Sequence, residues 1–435
     1  MISQRISKIY LPILFLLLTF ISVNQWSERP IGNTATTFAL DFFILVLLVL
    51  QMKNQRIAFT EKGYIVVSLY LLWALFGIVR GMRVAENYWE YKNLVQNSFV
   101  LFVPLCVYAF SFPNLLRNIL RAWYVFAILA YVLFFYWQVG ISQFYLGPVF
   151  LALSFLPLLK KKLWIVIILF IGILLLTVNV YDARSQLVKA AFSFAVALGC
   201  LKVFRLKDFF LKTAYWILLV TPVVFLYLGI SGKYNIFDEM WTDYEGVYTT
   251  TKVDDESGRE KEVDLSSDTR TFIYTEVIAS AIDNGYVLFG RTPARGNDTN
   301  FFWDIAYDLT ATHLDFNIKH ERSKNEVCFP NIFTWLGLVG MLLYIAIYVW
   351  AAYLGVYRSK NYYIKLTGLV VAFNFLYGWI ENVTSFDILN FTYWMLISMC
   401  LSSRFRSMTD HEFKEWYNSL FGIKQNSSKW KIPVD

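Results

Sequence analysis

The feature that most constrains this chain is a succession of apolar segments, each about 17 to 25 residues long, separated by short charged clusters. A helix of that length spans the hydrocarbon core of a bilayer. Only 16% of the residues are charged, far fewer than in a typical soluble domain. The pattern excludes a soluble fold and predicts an all-α polytopic membrane protein with about twelve transmembrane helices.

The predicted organisation has four parts. Residues 1–230 form an N-terminal membrane domain of about nine helices, 231–326 a large loop, 327–403 about three further helices, and 404–435 a tail. Trp26 and the charged residues after it follow the first span without a small-residue cleavage site, so we expect that span to be retained. The predicted spans are approximately 9–24, 35–51, 63–79, 94–111, 118–139, 144–159, 163–180, 185–201, 209–230, 327–356, 364–380 and 386–403.

Basic residues concentrate in alternate connections, as expected where those connections face the cytoplasm. This distribution predicts that both termini are cytoplasmic and that the large loop lies outside. The basic residues that depart from the pattern are Arg29, Arg80, Arg83, Lys92 and Arg184. The clusters assigned to the cytoplasm are Arg5/Lys8, Lys53/Arg56/Lys62, Arg117/Arg121, Lys160–Lys162, Lys202/Arg205/Lys207, Arg358/Lys360/Lys365 and Arg404/Arg406.

The large loop is acidic, with ten basic and nineteen acidic residues, whereas the whole chain carries a net charge of +7. This asymmetry fits an extracytoplasmic loop above a basic face near anionic lipid, and argues against nucleic acid as a partner. Residues 241–268 are polar and predict a mobile segment or a small hairpin. Residues 269–285 have apolar side chains at helical spacing and predict a helix that lies on the membrane surface or caps a cavity.

The four cysteines and three histidines are scattered, so we expect neither a disulfide framework nor a metal site, and no cofactor. Two charged residues fall within predicted spans, Asp41 in the second and Lys189 in the eighth. Such residues are functional candidates by default, as in a transporter, but can also anchor helices. We favour the anchoring role.

Arginines mark two places suited to an anionic ligand, since a guanidinium can donate several hydrogen bonds to a diphosphate. Arg184 opens the eighth span, where simple snorkelling to the interface is the alternative. Arg270, Arg291 and Arg295 lie in the otherwise acidic loop, where ordinary salt bridges are the alternative.

The end of the loop, from His320 through Arg322 to Glu326, gathers acid, base and cation candidates just before the tenth span. Desolvation near the interface would raise the pKa of Glu326, which suits a general base acting on a sugar hydroxyl. The alternative is a carboxylate that stabilises a helix N-terminus.

Three features together resemble the O-antigen polymerase and O-antigen ligase superfamily of membrane glycosyltransferases, which are GT-C-like. They are about twelve spans with a long loop before the last three, the Arg184–Ser185 pair opening a mid-chain span, and the polar cluster leading into Asn331–Gly340. The resemblance implies a metal-independent enzyme of the bacterial inner membrane. It would transfer a glycan from undecaprenyl diphosphate, with membrane lipid, a chain-length regulator and a flippase as further partners.

The resemblance also implies roles for particular residues. Glu326 or His320 would be the base, and the diphosphate would be bound by Arg184, Arg270, Arg291 and Arg322. Weaker candidates for contacts with the sugar or the rest of the substrate are Arg80, Arg83, Arg295, Trp303 and Tyr307. In ligases a His-Asn pair lies about eleven residues before the first glycine of the Gly-x-x-Gly ending. Here Glu326 and Val327 occupy that position relative to Gly337.

This departure favours a polymerase of repeat units over a ligase that transfers polysaccharide to lipid A-core or protein. The third hypothesis is a lipid-linked sugar flippase. It is disfavoured because the sequence has no internal repeat and no paired broken helices.

Overall fold

The computed structural model describes residues 2–27, 30–53, 62–135, 140–178, 180–231, 249–253, 260–264, 269–299 and 321–423. The described chain is mostly helical, and a helix overlaps each of the twelve predicted spans. The helices before the large loop are α1 (Ile2–Gln25), α2 (Thr34–Lys53), α3 (Ile65–Val84), α4 (Tyr88–Phe102), α5 (Cys106–Phe110), α6 (Pro113–Leu133), α7 (Gln143–Ser154), α8 (Lys161–Thr177), α9 (Val180–Cys200) and α10 (Asp208–Ile230).

The loop and the C-terminal part contain two small sheets and six helices within the described ranges. They are β1 (Thr249–Val253), β2 (Glu260–Asp264), α11 (Thr269–Asp283), β3 (Asn297–Asp298), β4 (Glu321–Arg322), α12 (Cys328–Arg358), α13 (Tyr362–Tyr377), α14 (Ile388–Leu401), α15 (Ser403–Ser407) and α16 (Asp410–Leu420). Strands β1 and β2 pair antiparallel, as do β3 and β4. The helix predicted within residues 269–285 is present as α11, and the β1–β2 pair matches the hairpin alternative.

Six helical segments are long and apolar enough to cross a membrane: Thr34–Gln51, Ile65–Val84, Tyr88–Phe110, Pro113–Leu133, Asp208–Leu228 and Cys328–Arg358. Five shorter apolar helices accompany them. Large apolar side chains on these helices point away from the protein, including Phe42, Leu72 and Val132, which are 61%, 64% and 67% exposed. Apolar surface on this scale is unfavourable in water and suits lipid, so the chain is an all-α membrane protein.

Helix α12 lies at the centre of the bundle and packs against α3, α10, α13 and α14. Its inner face is aromatic, and Tyr344 and Tyr348 make edge-to-face contacts with Trp394 of α14 at ring-centroid distances of 5.6 and 5.9 Å. In lipid, close van der Waals packing holds helices together, since lipid tails are as apolar as the core and supply no hydrophobic driving force between helices. The break expected at Lys160–Lys162 is present, since α7 ends at Ser154 and α8 begins at Lys161.

Helix α12 is interrupted at Gly337, where φ is 70°. The interruption leaves backbone amides and carbonyls without hydrogen-bond partners in the helix, and residues 286–291 of the loop supply other partners for them. The Leu338 amide donates to the carbonyl of Val287 at 2.8 Å, and the Arg291 amide donates to the carbonyl of Thr334 at 2.7 Å. The loop is therefore hydrogen-bonded directly into the central helix.

The connections α1–α2, α3–α4 and α13–α14 lie at the same end of the bundle as the large loop, and we call this end the loop side. At the opposite end, Asp410 accepts a hydrogen bond from Arg205 at 2.7 Å, and Trp416 donates to the carbonyl of Pro113 at 2.8 Å. Part of the predicted C-terminal tail is therefore helix α16, packed against the start of α6.

Candidate functional site

Two of the predicted site arginines, Arg291 and Arg295, are held by carboxylates on the loop side. Arg291 pairs with Asp298 at 2.6 Å and with Glu321 at 3.0 Å. Arg295 donates through Nε to Glu321 at 2.8 Å, and this hydrogen bond raises the pKa of Arg295. The Glu321 side chain is only 2% exposed, so the two guanidiniums and this carboxylate form a compact buried cluster. These contacts match the salt-bridge alternative.

The turn that carries this cluster is fastened to neighbouring helices. Asn97 of α4 donates to the carbonyl of Pro293 at 2.9 Å, and the guanidinium of Arg80 donates to the carbonyl of Phe289 at 2.7 Å. Arg80 also lies over the Phe289 ring at 5.9 Å. The predicted substrate contact Arg80 thus binds the loop itself, while Arg83 is exposed.

The side chains of residues 322–326 point in different directions and contact different parts of the protein. Arg322 donates to Glu326 at 3.3 Å, and burial lowers the pKa of Arg322. The Glu326 side chain is 60% exposed, so neighbouring residues in the described part of the protein do not bury it. The backbone of this segment makes no regular helix, and neighbouring side chains therefore need not share a face.

Lys324 lies two residues before Glu326 and reaches a different part of the protein. Its ammonium group donates to Ser385 at 2.9 Å. Burial lowers the pKa of Lys324, and the Asp387 carboxylate opposes that shift. Asn325 beside it is buried, and its side-chain amide donates to Asn297 at 2.9 Å. These amide contacts fix the backbone from which Lys324 projects.

Asn331 ties the loop end to the α13–α14 connection. The side-chain oxygen of Asn331 accepts from the Asn325 amide at 2.6 Å, while its nitrogen donates to Thr384 at 3.2 Å. Asn331 lies in the first turn of α12, and its side chain is completely buried. The position of Lys324 thus depends on contacts made by the first turn of α12.

A cavity of about 510 Å³ opens on the loop side between α2, α4, the loop end and the α13–α14 connection. Its size falls within the range of small-molecule sites. In the described part of the chain, amides, hydroxyls and aromatic rings line it together with two lysines and one carboxylate. The lining residues are Asn24, Gln25, Trp26, Pro30, Ile31, Gly32, Asn33, Thr34, Thr37, Phe38, Asp41, Lys92, Gln96, Val100, Lys324, Ser385 and Phe386.

Asp41 is the carboxylate found among the described lining residues, and it is 3% exposed. Within the described residues, its Oδ1 atom has no hydrogen-bond partner. Because a buried, unsatisfied carboxylate is energetically costly, this atom is suited to accept a hydrogen bond from a bound ligand.

The other intramembrane charge, Lys189, lies elsewhere. Its ammonium group pairs with Glu381 at 2.7 Å, and Glu381 also accepts a hydrogen bond from Ser185 at 3.1 Å. Lys189 lines a separate apolar cavity of about 40 Å³. This arrangement fits the anchoring role that the sequence favoured for Lys189, because the ion pair connects α9 to the α13–α14 connection.

Several predicted site residues lie outside the described part. His320, Trp303 and Tyr307 fall in residues 300–320, and the side chains of Arg184 and Arg270 are likewise outside it, although their backbones belong to α9 and α11. Sequence reasoning singled out Asp41 but assigned no ligand contact to Lys324, Gln96 or Asn33. Lys92 could have been found from the sequence, because it is a basic residue in a connection assigned to the outer side, where few basic residues are expected.

Comparison of the chain with protein-family models, with curated proteins and with solved structures gives no match.

Proposed function

We propose that this protein is a repeat-unit polymerase of O-antigen, capsular or exopolysaccharide synthesis. It transfers a glycan from undecaprenyl diphosphate to the acceptor sugar of another lipid-linked repeat unit. The observation that carries the proposal is the loop-side cavity, in which groups suited to sugars and groups suited to an anion line one space. A lipid-linked glycan presents both chemistries together.

The neutral lining suits a sugar. The Gln96 amide offers both a donor and an acceptor to hydroxyl groups, and the Asn33 amide nitrogen offers a donor, while the Asn33 oxygen accepts from Thr36 at 2.9 Å. The Asn24 amide is engaged by the backbone of Ile31, with which it exchanges hydrogen bonds of 2.9 and 2.7 Å. Trp26 and Phe386 offer ring faces for the apolar side of a sugar ring. An amide such as that of Gln96 does not suit a cavity that binds only an acyl chain, because an unpaired amide in contact with hydrocarbon is unfavourable.

The positive charges in the cavity suit the diphosphate. Lys92 comes from α4 and Lys324 from the loop end, so the two ammonium groups reach the space from different elements. Arg291 and Arg295 are engaged by Glu321, and so Lys92 and Lys324 are the better candidates for diphosphate contacts. Arg184, Arg270 and Arg322 remain proposed contacts.

The membrane arrangement that we propose has twelve spans in the bacterial inner membrane. Both termini are cytoplasmic, and residues 231–326 lie in the periplasm or outside the cell. The basic clusters at the end of the bundle opposite the loop side support it, since cytoplasmic connections are enriched in Lys and Arg. The cavity would then open toward the side where lipid-linked repeat units are polymerised.

Deleting the gene in its own host tests the proposal. We expect long chains to disappear while single repeat units reach the outer surface. Complementation with wild type should restore the chain-length ladder and Lys324→Gln should reduce it. Lys365→Gln should act as wild type, because Lys365 pairs with Asp208 outside the cavity. All variants are compared at equal membrane abundance.

The same deletion separates the alternatives. Polymerised chains that accumulate on undecaprenyl diphosphate would indicate a ligase and contradict the polymerase proposal. Single repeat units retained on the cytoplasmic face would indicate a flippase. The observation that favours a flippase is the buried Asp41 carboxylate in an open cavity, a feature that ion-coupled carriers also need.

A further inference from the structure

Asp41 is placed where a reacting group can reach it. It lies seven residues after Thr34, the first residue of α2, which puts it about two turns inside the bundle. Its carboxylate is buried and lines the cavity, and Oδ1 is unsatisfied within the described residues. A ligand hydroxyl that donates to Oδ1 would satisfy it and would be oriented by the same hydrogen bond.

Among the described residues, the charged groups that line the cavity with Asp41 are Lys92 and Lys324. Within the described residues, neither lysine lies within ion-pair distance of Asp41, and Lys324 instead donates to Ser385. Helix α1 and the connection after it contribute amides, Asn24 and Gln25 among them. The carboxylate and the ammonium groups are therefore available to different parts of one substrate, an uncharged hydroxyl and an anionic leaving group.

Glu326 is less suited to act in this cavity. Its side chain is 60% exposed, pairs with Arg322 and is not among the residues that line the cavity. A general base must come within hydrogen-bond reach of the proton that it removes. On geometry alone, Asp41 meets that requirement for a ligand in the cavity.

We propose that Asp41 is the catalytic base of the transfer reaction, an inference that rests on the proposed function. Oδ1 takes the proton of an acceptor hydroxyl, and the hydroxyl oxygen forms a bond to the anomeric carbon of the donor glycan. The bond from that carbon to the diphosphate oxygen breaks, and its electron pair leaves with undecaprenyl diphosphate. The proton on Asp41 then passes to water.

The test uses the full-length protein in nanodiscs and the lipid-linked repeat unit extracted from the deletion host. Asp41→Asn keeps the shape of the side chain and removes the base, so we expect binding within threefold of wild type. Single-turnover transfer should be at least about 100-fold slower, as expected when a general base is lost. Asp41→Glu should retain transfer within about tenfold, with the acidic limb of the pH–rate profile displaced.

Asp208→Asn is the matched control, because Asp208 is an exposed carboxylate paired with Lys365 and should transfer at the wild-type rate. Transfer by Asp41→Asn within threefold of wild type would overturn the inference. So would a parallel loss of binding and transfer, which would mark Asp41 as a substrate-binding residue only. If wild type binds the repeat unit without extending it, the proposed function fails as well.

Discussion

Gly290 of the loop and Gly337 of α12 are in backbone contact, and both have φ values near 70°. A Cβ atom on Gly290 would lie 2.5 Å from the nitrogen of Leu336, and one on Gly337 would collide with the carbonyl of Leu288. Neither neighbour is a flexible side chain that can move aside. The contact is possible only because both residues are glycine.

Replacing either glycine with alanine should destabilise the protein. Gly290→Ala and Gly337→Ala each combine a backbone collision with an unfavourable φ, so we expect a loss of about 2–4 kcal/mol and a clear fall in Tm. The effect is measured by thermal unfolding in detergent, with size-exclusion chromatography used to quantify the protein that remains folded at each temperature. Gly285→Ala is the control, because its φ is 65° but no atom lies within 4 Å of its Cβ position. A fall in Tm as large for Gly285→Ala would contradict the collision argument.

Glu321 should be the most sensitive carboxylate of the loop return. Glu321→Gln leaves the guanidiniums of Arg291 and Arg295 without their shared, buried partner, which costs about 3–5 kcal/mol. We expect faster proteolysis between α11 and α12 in the folded protein. Glu326→Gln removes an exposed ion pair with Arg322, and such pairs typically contribute about 0–1 kcal/mol to stability. This variant should leave the rate of proteolysis unchanged. Equal rates for both variants would show that the buried cluster is not what orders this segment.

Lys189 and Glu381 should behave as an energetically coupled pair. Lys189→Met or Glu381→Gln alone leaves one charge without its partner 2.7 Å away, and each should lower Tm. The double variant should be more stable than the sum of the two losses predicts, because no unpaired charge remains. Additive losses in a double-mutant cycle would mean that the two side chains act independently.

The lowered pKa of Lys324 predicts how stability changes with pH. At a pH below 10.5, the usual pKa of lysine, Lys324 is protonated in the unfolded chain. In the folded protein, burial disfavours the protonated form and lowers the pKa. Stability should therefore fall as the pH decreases from 10.5 through the lower folded-state pKa. Lys324→Met removes this contribution. The Tm difference between Lys324→Met and wild type should accordingly widen toward neutral pH and narrow toward pH 10.5. A constant difference would show that the pKa is not shifted.

Chemical labelling can establish which side each end of the bundle faces. In a background without native cysteines, Ile31→Cys lies on the loop side at a residue that is 63% exposed, and Ser407→Cys lies at the opposite end. If the loop side is outside, a membrane-impermeant maleimide should label only Ile31→Cys in intact cells. Labelling of Ser407→Cys alone would reverse the proposed orientation.

The helices were predictable because their signal is local. A run of apolar residues produces the helix wherever it lies, and the spacing of Ile273 and Val277 likewise predicts α11. The pairing of Arg291 and Arg295 with Glu321 was not predictable, since it depends on where a chain segment returns some 26 residues later.

The cavity was still harder to foresee. Its walls come from residues 24–26, 30–41, 92–100, 324 and 385–386, which no local pattern connects. Lys324 and Glu326 are two positions apart, and only Lys324 lines the cavity. Which of the two side chains does so depends on the course of the backbone around Asn325, which the sequence does not reveal. Asp41 could be singled out because its charge is conspicuous in an apolar helix, but its surroundings could not.

The hydrogen bonds between residues 287–291 and the interrupted helix α12 have a consequence for how this chain can vary in length. Residues added or removed between α10 and α11 leave the register of those bonds unchanged, because they lie upstream of α11. A single residue inserted between Gly285 and Arg291 would shift every carbonyl relative to Leu338 and move Gly290 away from Gly337. Variants of this protein should therefore tolerate insertions in the first part of the loop and reject them in the six residues that follow Gly285.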